Sequence, residues 1–155
     1  MNKVEILVME AGEELDRLVA TEVMGEPVPE FTPENALDLQ LAGSPVKSPK
    51  GNWLCLCRYG EGDIPTWRPL PYSTDISAAW LVVEKLAEGW ERDHEPISIE
   101  VMYDCGAYEA KIETWNDGKI DWNEPILSGS YNKAPEAICK AALLTRLDEI
   151  KELEE

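Results

Sequence analysis

Residues 71–89 predict a loop that leads into an amphipathic helix, and they begin with Pro71-Tyr72-Ser73-Thr74-Asp75-Ile76-Ser77-Ala78-Ala79-Trp80. Ser73 or Thr74 is expected to cap the helix, because a short side-chain oxygen accepts hydrogen bonds from the free N–H groups of the first turn. Asp75 places negative charge at the positive end of the helix dipole. The helix is expected to end at Gly89. Its apolar positions have the spacing of a helix that rests on a core, and they are Ile76, Ala79, Trp80, Val83, Leu86 and Ala87.

Alternating apolar and polar residues predict strands at 97–103 and 108–115, and a turn at 116–118 returns the chain as a further strand. Another strand is predicted at 52–59. Helices are predicted at 13–24, with Gly25 as a stop signal, and from Pro135 onward; residues 4–9 fit either a helical turn or a small strand. This order predicts an α+β fold, an antiparallel sheet of three to five strands layered with about three helices as an α/β/α-type sandwich.

The length of 155 residues predicts a single domain over 1–155. Within it, five prolines and two glycines fall at about 26–51. Such proline density disfavours long helices and central strands. We therefore predict a Pro-rich surface insertion in this segment.

The chain is strongly acidic, with 31 acidic residues against 14 basic ones and a formal net charge of −17. This charge repels nucleic acid and anionic membrane surfaces, so neither is an expected partner. The sequence begins without a charged-plus-apolar export signal and contains no apolar run of about 20 residues. We expect a cytoplasmic protein, whose charge serves solubility or mimics a nucleic-acid backbone.

Residues that could support catalysis are few. The single histidine, His94, lies in a polar connector, and no nucleophile elbow, P-loop or zinc-hydrolase signature is present. The four cysteines, Cys55, Cys57, Cys105 and Cys139, are expected to be reduced thiols, because the chain is too long and too poor in cysteine for a disulfide framework and lacks an export signal. Zinc is disfavoured because structural zinc sites usually space their ligands C-x₂₋₄-C. We predict no catalytic residues, no metal and no cofactor, although zinc binding by the cysteines stays open.

Two helix starts could instead bind a small anion, because a helix N-terminus presents free N–H groups. One is the start of the 71–89 segment, where Asp75 competes for the same donors. The other follows a polar loop at 128–133. Aromatic rings could stack on a base and arginine could meet a phosphate. The predicted ligand-binding residues are therefore Trp67, Arg68, Tyr72, Ser73, Thr74, Tyr131 and Lys133; the alternative is that the caps are only caps and the aromatic residues are core.

Three blocks of the sequence resemble one known family, the phage ABA sandwich domain family, whose members are small proteins of phages and prophages. The blocks cover residues 14–25, 72–86 and 134–144, and they include Tyr72-Ser73-Thr74-Asp75-Ile76-Ser77-Ala78-Ala79-Trp80. The resemblance implies an antiparallel sheet layered with helices. It implies no established activity and no catalytic residues.

Two classes of function remain open on this basis. The first is a non-catalytic phage accessory protein that sequesters a host-derived small molecule, such as a nucleotide-type immune signal. The second is an acidic inhibitor that binds a host nucleic-acid-binding or defence protein. An enzyme that degrades such a ligand is a third, less favoured class, and the sequence leaves homo-oligomerisation open.

Overall fold

A computed structural model describes residues 1–26, 28, 46–47, 53–57, 66–93, 97–116, 119–120 and 125–154. Side chains are described in these ranges except at 46–47, 53–57, 66–67, 89–93, 114–116, 119–120 and 148–154. Apart from Glu26, Val28 and the short strand at 46–47, the predicted Pro-rich insertion lies outside the described residues. His94 also lies outside them.

The described residues form four helices: α1 (Lys3–Val8), α2 (Glu13–Glu22), α3 (Ile76–Asp93) and α4 (Ala134–Glu154). Helix α1 settles the alternative at residues 4–9. It starts with a capping box, in which Asn2 Oδ1 accepts from the Glu5 N–H at 2.9 Å and the Glu5 carboxylate accepts from the Asn2 N–H at 2.8 Å. Helix α2 ends at Glu22. Gly25, three residues later, has a φ of 68°, in the left-handed region that follows many helix ends.

The larger sheet is built around one long strand. Strand β5 (Ala107–Asn116) pairs antiparallel, through residues 107–114, with the whole length of β4 (Ile97–Asp104). Its other edge pairs with β6 (Lys119–Ile120) and β7 (Ile126–Leu127), and a bridge joins Tyr108 to Tyr131. A second antiparallel sheet has the order β1 (Val46–Lys47), β2 (Trp53–Cys57), β3 (Thr66–Pro69). The predicted strands at 52–59, 97–103 and 108–115 are confirmed.

Helix α4 is the centre of the core, and every residue from Ala137 to Thr145 is buried. A helix buried on all sides needs apolar residues around its whole circumference. Helix α4 packs against α1, α2, α3 and β5, and strand β3 packs on α2. The arrangement is an α+β sandwich, as predicted from the order of the elements.

The sequence-based description of α3 was wrong in three details. The helix runs to Asp93 and does not end at Gly89. Its N-cap is Asp75, not Ser73 or Thr74: Asp75 Oδ1 accepts from the N–H groups of Ser77 at 2.8 Å and Ala78 at 3.1 Å. Aspartate caps as well as serine.

The third error concerns the core face of α3. Ile76 and Trp80 were predicted in the core, but they are 53% and 55% exposed. Val82 is fully buried in their place, beside Ala79 and Leu86. The apolar residues of α3 extend over more than half of its circumference, and periodicity alone does not show which part of so wide a surface packs inward.

No described helix combines the length and the apolar character that crossing a membrane requires.

Candidate ligand-binding site

Two of the predicted ligand-binding residues lie inside the protein. Tyr72 is 1% exposed and Ser73 is fully buried. The Ser73 N–H donates to Asp16 Oδ1 at 2.7 Å, and the Ser73 hydroxyl accepts from the Gly12 N–H at 2.9 Å. These bonds join the loop before α3 to the start of α2. Ser73 therefore has a structural role in the described structure, and its polar atoms are already engaged.

Asp16 is the buried acid of this cluster. Burial raises the pKa of its carboxyl above the usual value, and the hydrogen bonds from Ser73 offset part of that rise. Deep burial raises the pKa of the Cys139 thiol well above its usual value, and the charges of Asp16 and Glu136 raise it further. Cys139 is therefore a protonated core thiol and not a reactive one.

The start of α3 does not present an empty anion site. The carboxylate of Asp75 already accepts from two N–H groups of the first turn. An anionic ligand would have to displace this charge, which the sequence had indicated as a competing interaction. Thr74 is exposed beside it.

Tyr131 and Lys133 mark the second predicted helix start. The Tyr131 hydroxyl donates to the Leu7 carbonyl at 3.1 Å, and burial raises the pKa of this phenol, with a further contribution from the charge of Glu136. Lys133 is exposed. Lys140, which sequence reasoning missed, lies 1% exposed beneath the Tyr131 ring, with its ammonium 3.9 Å from the ring centroid.

Lys140 is a buried cation with three partners. Its Nζ donates to the Leu7 carbonyl at 3.1 Å and to the Glu136 carboxylate at 2.9 Å, and it contacts the face of Tyr131. Since the carbonyl end of a helix carries partial negative charge, Lys140 also favours the docking of α1. Glu136 and Lys140 have the i, i+4 spacing of a surface salt bridge, so the sequence gives no sign that this pair is in the core.

Arg68 is the predicted ligand-binding residue that takes part in a cluster of charges on the surface. Its Nη2 lies 3.2 Å from Glu13 Oε2, and Arg17 Nη2 lies 2.7 Å from the other oxygen of the same carboxylate. Arg17 Nε also donates to Glu13 Oε1, at 3.1 Å. Two guanidinium groups from different elements, β3 and α2, thus converge on one carboxylate. Glu13 and Arg17 have i, i+4 spacing, but their meeting with Arg68 depends on the fold.

Arg17 also lines an open groove between α1 and α2, with a volume of about 530 Å³. Ligand pockets commonly have volumes of roughly 300–1,000 Å³. The lining combines apolar side chains with acidic and basic ones, and it consists of Met1, Glu5, Met9, Glu14, Arg17, Leu18 and Thr21.

The predicted ligand-binding residues therefore separate into two groups. Arg68 and Ser73 contact the start of α2, whereas Tyr131 contacts the end of α1. Trp67 belongs to β3, but its side chain lies outside the described residues. In the part of the chain that the structure describes, no group of three or more His, Cys, Asp and Glu residues is placed to hold a metal ion.

The chain is similar to a known protein family and to a solved structure. The sequence profile of the phage ABA sandwich domain matches residues 17–143. Among solved structures, the chain is similar to a phage protein from Bacillus cereus ATCC 14579, with 18% identity and a TM-score of 0.43 over 88% of this chain and 91% of that one. Comparison with curated proteins finds no match. Since the profile covers most of the 155 residues, the chain belongs to the phage ABA sandwich domain family.

Proposed function

We propose that this phage protein is a non-catalytic accessory protein that binds and sequesters a nucleotide-type small molecule of the host and so counters a defence signal. The observation that carries this proposal is the convergence of Arg17 and Arg68 on Glu13 beside the groove between α1 and α2. The ligand in this proposal lies at the start of α2 and not at the start of α3, which the sequence had suggested.

The arginine pair supplies the chemistry for a phosphate. A guanidinium group presents its donors in a planar fork that matches phosphate and carboxylate oxygens. The Glu13 carboxylate occupies the position between the two forks and stands in for the anionic group of a ligand. A phosphate that exchanges with Glu13 would accept hydrogen bonds from both arginines.

The groove supplies a surface for the apolar part of the ligand. Met1, Met9 and Leu18 form its apolar lining, and methionine adapts well to the shape of a ligand. Glu5 and Glu14 in the same lining oppose a ligand with many negative charges. The groove therefore favours a ligand with one or two phosphates, such as a cyclic nucleotide or an ADP-ribose derivative.

A thermal shift screen against cyclic and linear nucleotides, with ADP-ribose derivatives included, tests the proposal. A ligand at 100 times its Kd should raise the free energy of unfolding by about 2.7 kcal/mol. The double variant Arg17→Gln/Arg68→Gln should lose the shift. Lys111→Gln should keep it, because Lys111 contacts Glu100 and Glu113 on the hairpin of β4 and β5. An unfolding midpoint that does not rise with any nucleotide at high concentration would contradict the proposal.

A different observation favours protein binding as the second candidate. The exposed side chains of Ile76 and Trp80 lie one turn apart on α3, and the exposed acids Glu84 and Glu88 follow at the same spacing. Exposed tryptophan is enriched at binding hot spots. With a net charge of −17, this surface suits an apolar partner surface rimmed by basic residues, such as that of a host nuclease.

Pull-down from host lysate at low and high salt tests this second candidate. The partner should be captured at low salt and released as salt screens the charges. Trp80→Ala should abolish capture, whereas Val8→Ala, a change at an exposed apolar residue of α1, should leave it intact. Capture that is unchanged by high salt and by Trp80→Ala would contradict the second candidate.

A further inference from the structure

The C-terminal half of β4, residues 101–104, is exposed and not covered by the helices. Residues of β4 that share a face with Ile99 follow at every second position. Ile99 is partly buried against the core, but Val101 is 41% exposed and Tyr103 is 66% exposed on the same face. Among the described aromatic pairs, the ring of Tyr103 contacts the tilted ring of Tyr108 across the hairpin, with 5.0 Å between the ring centroids. The hairpin therefore ends in an apolar surface.

The same strand has an unpaired edge. All eight residues of β4 pair with β5 on one side, and no described strand pairs with the other side. Such an edge presents a row of unpaired N–H and C=O groups to another strand. Natural edge strands are commonly protected by charged side chains, above all lysine, by proline or by a bulge. The sequence of β4, from Ile97 to Asp104, contains neither lysine nor proline, and its charged residues are Glu100 and Asp104.

We infer that a second copy of this chain pairs with this edge, so that two β4 strands lie antiparallel about a two-fold axis through Val101. The axis has to pass through a residue, because opposed residues of an antiparallel pair share a face of the sheet. The charged residues of β4 then determine which residue lies on the two-fold axis.

An axis through Glu100 would place two copies of Glu100 opposite each other. An axis through Met102 would oppose Glu100 to Asp104 twice. Like charges directly opposite each other destabilise a strand pair. An axis through Val101 opposes no like charges: Glu100 faces Met102, Asp104 faces Ser98, and Ile99 faces Tyr103 of the second copy.

An axis through Ile99 also avoids like charges, but it leaves Tyr103 without a partner in the described strand. The axis at Val101 pairs the longer segment and covers both exposed residues of the inner face. It also needs no external cation, since Lys111 already lies 3.3 Å from Glu100 within the same hairpin. Two copies of the strand therefore pair without opposed like charges, which is why we assign the edge to a second copy and not to a basic partner. This inference is independent of the proposed nucleotide site.

Site-directed cross-linking of the full chain tests the register. In a Cys105→Asn background, Val101→Cys should form a disulfide-linked dimer under mild oxidation, because opposed Cα atoms lie roughly 4.5–5.5 Å apart. Met102→Cys should not, since its two copies are farther apart than the roughly 7 Å that a disulfide spans. The Cys105→Asn protein alone measures the background from the remaining cysteines.

Light scattering after size exclusion gives the second readout. The unmodified chain should elute at twice its 17.4 kDa mass, and more completely in about 0.5 M salt, because screening reduces the repulsion between two copies of charge −17. Val101→Lys should be a monomer with the circular dichroism of the folded chain, and its unfolding midpoint should no longer depend on protein concentration. A monomer at every salt concentration, equal cross-linking at 101 and 102, or a dimer that survives Val101→Lys would each overturn the inference; so would a different protein on this edge.

Discussion

Asp16 shows how a single buried acid connects two distant segments of the chain. Its carboxylate accepts from the Ser73 N–H at 2.7 Å inside the core. Asp16→Ala would leave that N–H without an acceptor, and we expect a loss of about 1–3 kcal/mol in the free energy of unfolding. Asp16→Asn should lose less, because the amide oxygen can still accept the bond.

The pH dependence of stability provides a second test of Asp16. Its pKa in the folded protein is raised from 3.8, so the folded state holds this proton more tightly than the unfolded state. The contribution of Asp16 to stability is therefore full below pH 3.8 and is lost as the pH rises through the raised pKa. Urea unfolding at several pH values should show wild type losing stability relative to Asp16→Asn across this window. A difference that stays flat or grows with pH would contradict this account.

At the scale of elements, the β4–β5 hairpin depends on a two-residue turn. Asp104 pairs with Ala107, and between them Cys105 and Gly106 have φ values of 50° and 85°. Two consecutive positive φ values indicate a type I′ turn, in which Asn-Gly is strongly preferred.

Cys105→Asn should therefore stabilise the protein by about 0.5–1 kcal/mol, because asparagine tolerates the left-handed region better than cysteine. Cys105→Val should destabilise it, because a β-branched side chain fits that region poorly. Thermal unfolding of both variants checks the prediction. Equal midpoints for asparagine and valine would show that the turn does not hold this backbone conformation.

Helix α1 is only six residues long and depends on contacts with the rest of the fold. The Leu7 carbonyl near its end accepts from both Tyr131 and Lys140. Lys140→Met should cost about 1.5–3 kcal/mol, since a hydrogen bond from a charged donor is lost. Hydrogen exchange should then rise more in α1 than in α3.

Lys133→Met is the matched control for Lys140→Met, because Lys133 is exposed and its loss should change stability by less than about 0.5 kcal/mol. Adding Glu136→Gln to Lys140→Met should recover part of the loss, since it removes the unpaired negative charge. Unchanged exchange in α1 after Lys140→Met would refute the proposed docking role of Lys140.

The elements of the fold follow from local patterns, whereas their contacts do not. The alternation at 97–103 predicted β4 because period-two patterning survives in a sheet with one polar face. Trp80 was wrongly predicted in the core because the apolar surface of α3 is wider than the part of it that packs inward. It could not place Ser73, since the partners of this residue, Gly12 and Asp16, are about 60 positions away.

At the scale of the whole molecule, the candidate site was predicted only in part. Arg68 was selected for its chemistry, and the fold joins it to Arg17 through Glu13. Neither the groove between α1 and α2 nor the burial of Lys140 has a signal in the sequence, because both depend on how α1 and α2 pack on α4. Composition nevertheless limits the ligand, since a chain of charge −17 can bind an anion only where its few cations converge.

Calorimetric titration with the nucleotide that gives the largest thermal shift tests the central claim most directly. Glu13→Gln should bind it about three- to tenfold more tightly than wild type, because the carboxylate that competes for both arginines loses its charge. Arg17→Gln should weaken binding, and Glu113→Gln, on the distant Lys111 cluster, should leave it unchanged. Affinity that stays the same or falls in Glu13→Gln would contradict the claim that Arg17 and Arg68 form the anion site.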